Sequence, residues 1–230
     1  LLTRYAKICA GEALSVSFKA AGAVYYVIRG QGCSTQDNDT IEWGEGDLFC
    51  FPGAGKTVHR AGGRDSLLFL ATNEPLLSID RLSPPPPAEA VVEAVHWPAD
   101  EITRQFEPVL RRPITETTSG HAVLFSSTAQ GGSTNILPTV NCAVNTLESG
   151  KDQRPHRHNG VAVTLCIRGQ GVYSQIDDQR VDWIDCGVQI TPPAALHSHH
   201  NRGHILLCGD QQRPEILIPA VNKKNDKQGR

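Results

Sequence analysis

At 230 residues and 24.9 kDa the chain can form one large or two small domains, and a net charge of -2 with no Lys/Arg run before the closing KKNDKQGR argues against nucleic acid or an anionic membrane as partner. No apolar run approaches the roughly 18 residues of a membrane span, and LLTRYAKIC lacks the charge-then-apolar layout of a secretory leader. Seven scattered cysteines without a C-x-x-C suit reduced thiols buried as small apolar residues, so the expected setting is cytoplasmic.

Residues 1–82 read as short strands, LSVSF, AVYYVIRG, DTIEW, DLFCFP and SLLFLAT, separated by Gly, Asn and Asp. Ser83-Pro84-Pro85-Pro86-Pro87 follows, an extended polyproline-type segment because proline fixes φ and lacks a donor. In ADEITRQFEPVLRR the apolar residues Ile102, Phe106, Val109 and Leu110 fall at helical spacing, with Asp100 as N-cap and Pro108 as a brake, so a short helix completes a linker over 83–118. Strands resume with HAVLFSS and TVNCAVNTL and continue over 119–222, leaving 223–230 as a polar tail. The two strand-rich stretches repeat each other. Ile28-Arg29-Gly30-Gln31-Gly32 returns as Ile167-Arg168-Gly169-Gln170-Gly171, and the run from Trp43, WGEGDLFCFP, parallels WIDCGVQITP from Trp183. A repeat of about 140 residues means two copies of one domain rather than a solenoid of short units. Methionine is absent, position 1 included, which suggests a trimmed stretch.

Chemistry concentrates in the second copy. His156 and His158 stand two residues apart ahead of an apolar strand, and residues i and i+2 of an extended chain share a face, so both imidazoles can aim at one point. His197, at the end of another apolar run after Pro192-Pro193, is the third member. Three neutral imidazoles around an open face suit Fe, Zn, Cu or Ni and leave positions for substrate or dioxygen.

These segments resemble the two cupin motifs: Gly150, His156, His158 and Gly169 fit the first, and Pro192, His197 and Asn201 fit the second. Two positions depart from the pattern, because the usual glutamate ligand falls on Ala162 and the second motif's opening glycine is Cys186. A three-histidine site without glutamate is similar to that of the gentisate 1,2-dioxygenase family, which RPHRHNGVAVTLCIRGQGVYSQID and ITPPAALHSHHN also resemble. The resemblance implies an all-β fold of two tandem cupin (jelly-roll) barrels. It further implies one divalent metal, Fe(II) first with Mn, Ni or Zn as alternatives, and a hydroxylated aromatic acid and dioxygen as partners in ring cleavage. It makes His199, two residues after the third ligand, a substrate-facing acid/base group. It also puts Thr164 where the family has a carboxylate-binding arginine. Exposed β-edges and the resemblance favour a homodimer or homotetramer.

Sliding the second copy over the first puts Ser17 and Lys19 at the His156 and His158 positions and Thr57 at that of His197, with His59 two residues late. Such a set is a poor metal site, so the first barrel is expected to be metal-free and to act as a scaffold. Two other readings stay open: a non-oxidative metal cupin (an isomerase or hydrolase), and a bicupin that binds a small molecule without turnover.

Overall fold

The computed structural model describes residues 1–113 and 121–203 and the backbone of 215–219; the tail 223–230 lies outside the described residues. The chain divides into two compact units, Leu1–Gln105 with Phe125–Pro138, and Phe106–Leu124 with Thr139–Arg230.

The first unit holds β1 (Leu2–Ile8), β2 (Ala13–Val16), β3 (Gly22–Arg29), β4 (Gly32–Gln36), β5 (Asp39–Trp43), β6 (Leu48–Pro52), β7 (Thr57–Ala61), β8 (Ser66–Thr72) and β9 (Val95–Trp97). They form two antiparallel sheets, ordered β1-β8-β3-β6-β9 and β2-β7-β4-β5. Alternation along the strands sends one set of side chains inward. Ala23, Tyr25 and Val27 of β3, Phe49 and Phe51 of β6, and Trp43, Leu68 and Leu70 make one buried cluster. Residues 83–105, read from sequence as linker, are in part built into this unit, since β9 pairs with β6. The short helix α1 (Glu74–Ile79) follows β8.

Helix α2 (Ala99–Leu110) lies where periodicity puts it, with Ile102 and Phe106 buried. Its start differs from expectation. The Asp47 carboxylate accepts the first N–H, at Ala99, 2.8 Å away, so Asp100 falls inside the helix instead of capping it. Pro108 is accommodated within the helix, which stops two residues later.

The second unit repeats the plan with β10 (His121–Phe125), β11 (Cys142–Thr146), β12 (Ala162–Leu165), β13 (Val172–Ile176), β14 (Gln179–Asp182), β15 (Val188–Thr191), β16 (His197–Asn201) and β17 (Glu215–Pro219). The sheet orders are β10-β11-β17-β12-β15 and β14-β13-β16. Duplication extends to the backbone: the left-handed residues Asp37, Gly46 and Ala54 recur as Asp177, Cys186 and Ala194, each 140 positions on. The repeated glycines have a steric cause, for a Cβ on Gly32 would lie 2.1 Å from the Arg60 carbonyl oxygen and one on Gly171 2.6 Å from Gly203. Among the described residues no helix is long and apolar enough to cross a membrane, and none of the described cysteines forms a disulfide.

Candidate metal centre

The extended segment before β12 runs antiparallel to β16, with bridges at Asp152–His200 and His156–His197. His156 and His197 exchange both backbone hydrogen bonds, at 2.9 and 3.0 Å, so they stand directly opposite with side chains on one face. Their ring centroids are 4.2 Å apart, His158 is 4.6 Å from His197, and His156 is 6.2 Å from His158. The structure therefore brings the three expected ligands into one cluster. Among the described residues no three His, Cys, Asp or Glu side chains are drawn tightly enough together to hold an ion as they stand. Whether the set suits a metal is decided by which ring nitrogens are available.

Each Nδ1 faces a backbone carbonyl: His156 that of Arg154 at 3.0 Å, His158 that of Gly160 at 2.6 Å, and His197 that of Ala195 at 3.1 Å. A carbonyl only accepts, so all three rings carry the proton on Nδ1 and keep a lone pair on Nε2, the arrangement a metal-binding histidine needs. Burial, with the neighbouring imidazoles His156 and His158 adding to it, pushes the His197 pKa down to about 4 against the pull of the Ala195 carbonyl. The ring is neutral at pH 7, as a ligand must be. These donors fit a divalent metal that accepts imidazole.

The residues around the ligands divide by strand alternation. His199 shares the inner face with His197, ring centroids 5.8 Å apart, and its Nδ1 is 2.7 Å from Ser174 Oγ, which accepts the Trp183 indole N–H at 2.7 Å. Burial pushes the His199 pKa to about 3, with His197 and the other imidazoles adding to the effect. His200 turns away, bonded to Asp152 at 2.7 Å and stacked on Tyr173 at 4.6 Å. Arg157 is exposed and donates to the Ala194 carbonyl. Asn201 ties two loops, donating to the Leu147 carbonyl at 2.7 Å and accepting from the Gly203 N–H at 2.9 Å. Arg180 is held by Asp182 and lies over Tyr173, 3.9 Å from the ring centroid, on the β13–β14 hairpin.

Thr164 is 2 % exposed, and its Oγ1 has no hydrogen-bond partner among the described residues. Directly across the ladder stands Gln189, whose buried amide nitrogen and oxygen are also both unpartnered. A buried polar atom left unpaired costs about 1–3 kcal/mol, which makes Thr164 and Gln189 candidates for contact with a bound molecule. Sequence reasoning missed Gln189 because the repeat was compared by motif and not by ladder position.

The first unit shows what these positions replace. Val16 stands opposite Thr57 just as His156 stands opposite His197, so the register puts Val16, not Ser17, at the first ligand position; Phe18, not Lys19, then follows on the same face and packs on the core. His59 is no displaced ligand. It is the counterpart of His199, bonded through Nδ1 to Ser34 Oγ at 2.6 Å, with Trp43 donating to that hydroxyl at 2.7 Å.

An 83-residue stretch is 29% identical to a gentisate 1,2-dioxygenase from Haloferax sp, covering 36% of this chain and 22% of that protein. A salicylate 1,2-dioxygenase structure from Pseudaminobacter salicylatoxidans superposes with a TM-score of 0.76 at 12% identity, over 95% of this chain and 70% of that one. The fold is the one seen in that salicylate 1,2-dioxygenase structure. A cupin 2 conserved barrel domain protein from Leptotrichia buccalis also superposes, with a TM-score of 0.57 at 11% identity over 95% of this chain and 82% of that one. No family model matches the sequence. Fewer than a quarter of the Haloferax protein's residues are therefore represented in the matched stretch.

Proposed function

We propose that the second barrel is the active unit of a metal-dependent dioxygenase, with Fe(II) as the metal, that opens the ring of a hydroxylated aromatic acid. The first unit, Leu1–Gln105 with Phe125–Pro138, serves as a metal-free scaffold, and the second, Phe106–Leu124 with Thr139–Arg230, is the metal-binding barrel. The observation that carries this reading is the matched set of imidazoles, whose three Nδ1–H groups are each tied to a carbonyl so that three Nε2 lone pairs remain. His156, His158 and His197 would hold the ion. When bound, Fe(II) supplies a centre at which an electron-rich ring and dioxygen are held together and through which electrons pass between them.

The chain's own residues orient the substrate. Thr164 and Gln189 offer neutral donors and acceptors, and a carboxylate there meets no guanidinium fork, so polar ring substituents are recognised by hydrogen bonds without ion pairing. His199, on the same inner face as the third ligand, faces the substrate's polar atoms. One salicylate 1,2-dioxygenase of this fold is described as an adduct with gentisate, which makes hydroxybenzoates the first compounds to try.

The test is anaerobic purification, metal analysis, reconstitution with Fe(II), and oxygen uptake with gentisate, salicylate and hydroxynaphthoate. The expected result is one iron per chain and substrate-dependent uptake, both lost in His156→Ala while the fold, followed by circular dichroism, is kept. Stoichiometric binding of another metal with no uptake would replace this reading by a non-oxidative one.

A further inference from the structure

Resting on that reading of the site, we propose that Ser174 and Trp183 are positioning residues that lock His199 as an Nε2–H hydrogen-bond donor, opposite in polarity to the three ligand histidines. Hydrogen counting leads there. The indole N–H of Trp183 can only donate, so Ser174 Oγ is an acceptor in that 2.7 Å bond. The hydroxyl has one proton of its own. Ser174 is 0 % exposed, and its remaining partner is His199 Nδ1 at 2.7 Å. If the proton sat on His199 Nδ1, the hydroxyl proton would be buried without an acceptor; if Ser174 donates to Nδ1, the indole N–H, the hydroxyl and Nδ1 are each paired. Neutral His199 then carries its hydrogen on Nε2. His156, His158 and His197 have the reverse arrangement, because carbonyls hold their Nδ1–H groups. The site thus combines three ring lone pairs with one ring N–H, and His199 donates to a substrate oxygen instead of taking a proton from it.

The first barrel is an internal control. Trp43, Ser34 and His59 form the same relay, 140 residues earlier at every member, with separations of 9 and 25 positions in both copies. In each, the serine and histidine are opposite residues of one ladder, Ser34–His59 and Ser174–His199. The relay geometry forms where the ligand positions hold Val16 and Thr57, so it does not depend on histidines at those positions, and His59 Nε2 there is buried with no hydrogen-bond partner among the described residues. His59 packs against Tyr25 and Phe49, ring centroids 4.7 and 6.4 Å away, and those are the positions that Thr164 and Gln189 occupy in the second barrel.

The test is long-range proton–nitrogen NMR on the metal-free full chain labelled with nitrogen-15 histidine, with His199→Gln and His59→Gln used for assignment. His199 and His59 are expected as Nε2–H tautomers and the three ligands as Nδ1–H tautomers. Ser174→Ala should turn His199 into a tautomer mixture, Ser174→Thr should restore the lock, and Ser34→Ala should affect His59 alone. In the iron-loaded enzyme Ser174→Ala should raise KM about tenfold, the size of one lost hydrogen bond, while Ser34→Ala leaves turnover unchanged. If Ser174→Ala fails to fold, Trp183→Phe, which removes only the N–H, should loosen the same tautomer. A His199 Nδ1–H signal in the unmodified protein, or a spectrum indifferent to both substitutions, would overturn the proposal. The spectra need no metal, so absence of oxygen uptake would sink the dioxygenase reading and leave this one to be decided on its own.

Discussion

The two barrels share left-handed turns and a Trp–Ser–His relay, yet one is filled with aromatic rings and the other carries polar side chains and a histidine cluster. In the first, Tyr25 stacks on Phe49 with centroids 4.9 Å apart, Phe51 adds an edge contact, and all three rings are fully buried. In the second, the same ladder positions carry Thr164, Gln189 and Thr191, and the buried apolar cluster there is Cys166, Val172 and Trp183. Polar side chains thus stand where the first barrel has rings. The two copies differ in what fills three inward positions and in what stands opposite β7 or β16.

The comparison can be broken most strongly by refilling the second barrel. Thr164→Tyr with Gln189→Phe should abolish substrate binding and oxygen uptake, by more than about 100-fold, while metal content stays stoichiometric because no ligand is touched. Emptying the first barrel is the converse. Phe49→Ala should cost about 3–5 kcal/mol in chemical denaturation, whereas Gln189→Ala should cost under about 1 kcal/mol, since it removes unpaired polar atoms.

A third difference is read by pH. Burial lowers the His59 pKa to about 4, so the folded first barrel holds a neutral ring where the unfolded chain, near 6.5, binds a proton. Its stability is therefore fully present above about pH 6.5 and falls as pH drops toward 4, by up to about 3 kcal/mol. His59→Gln should flatten this slope in urea titrations run between those pH values. The smallest effect concerns the turn where Gly46, at φ 91, is matched by Cys186 at φ 59. Cys186→Gly should stabilise the second barrel by about 1 kcal/mol, seen as a higher denaturation midpoint.

Much of this was legible in the sequence. The duplicated IRGQG and Trp-led runs identified two barrels, and the His-x-His pair with His197 identified the cluster that the bridge at His156–His197 assembles. What sequence misassigned came from register. The offset between copies is 139 at IRGQG but 140 at Val16/His156 and Thr57/His197, and a one-residue slip exchanges the inner face for the outer one. That slip made Ser17 and Lys19 look like the ligand equivalents. His59 was read as a misplaced ligand for a different reason: its partner Ser34 is nonlocal, and only the ladder joins them. The signal was nonetheless present, because serine, tryptophan and histidine recur with identical spacing in both halves. Gln189 has no such signature and emerges only from its place across from Thr164.

The central claim is that one barrel binds metal and the other does not. Anaerobic Fe(II) titration of the chelator-stripped full chain tests it most directly. The account predicts a single equivalent bound, lost in His156→Ala and unaffected by His59→Gln; two equivalents, none, or one that survives His156→Ala would contradict it.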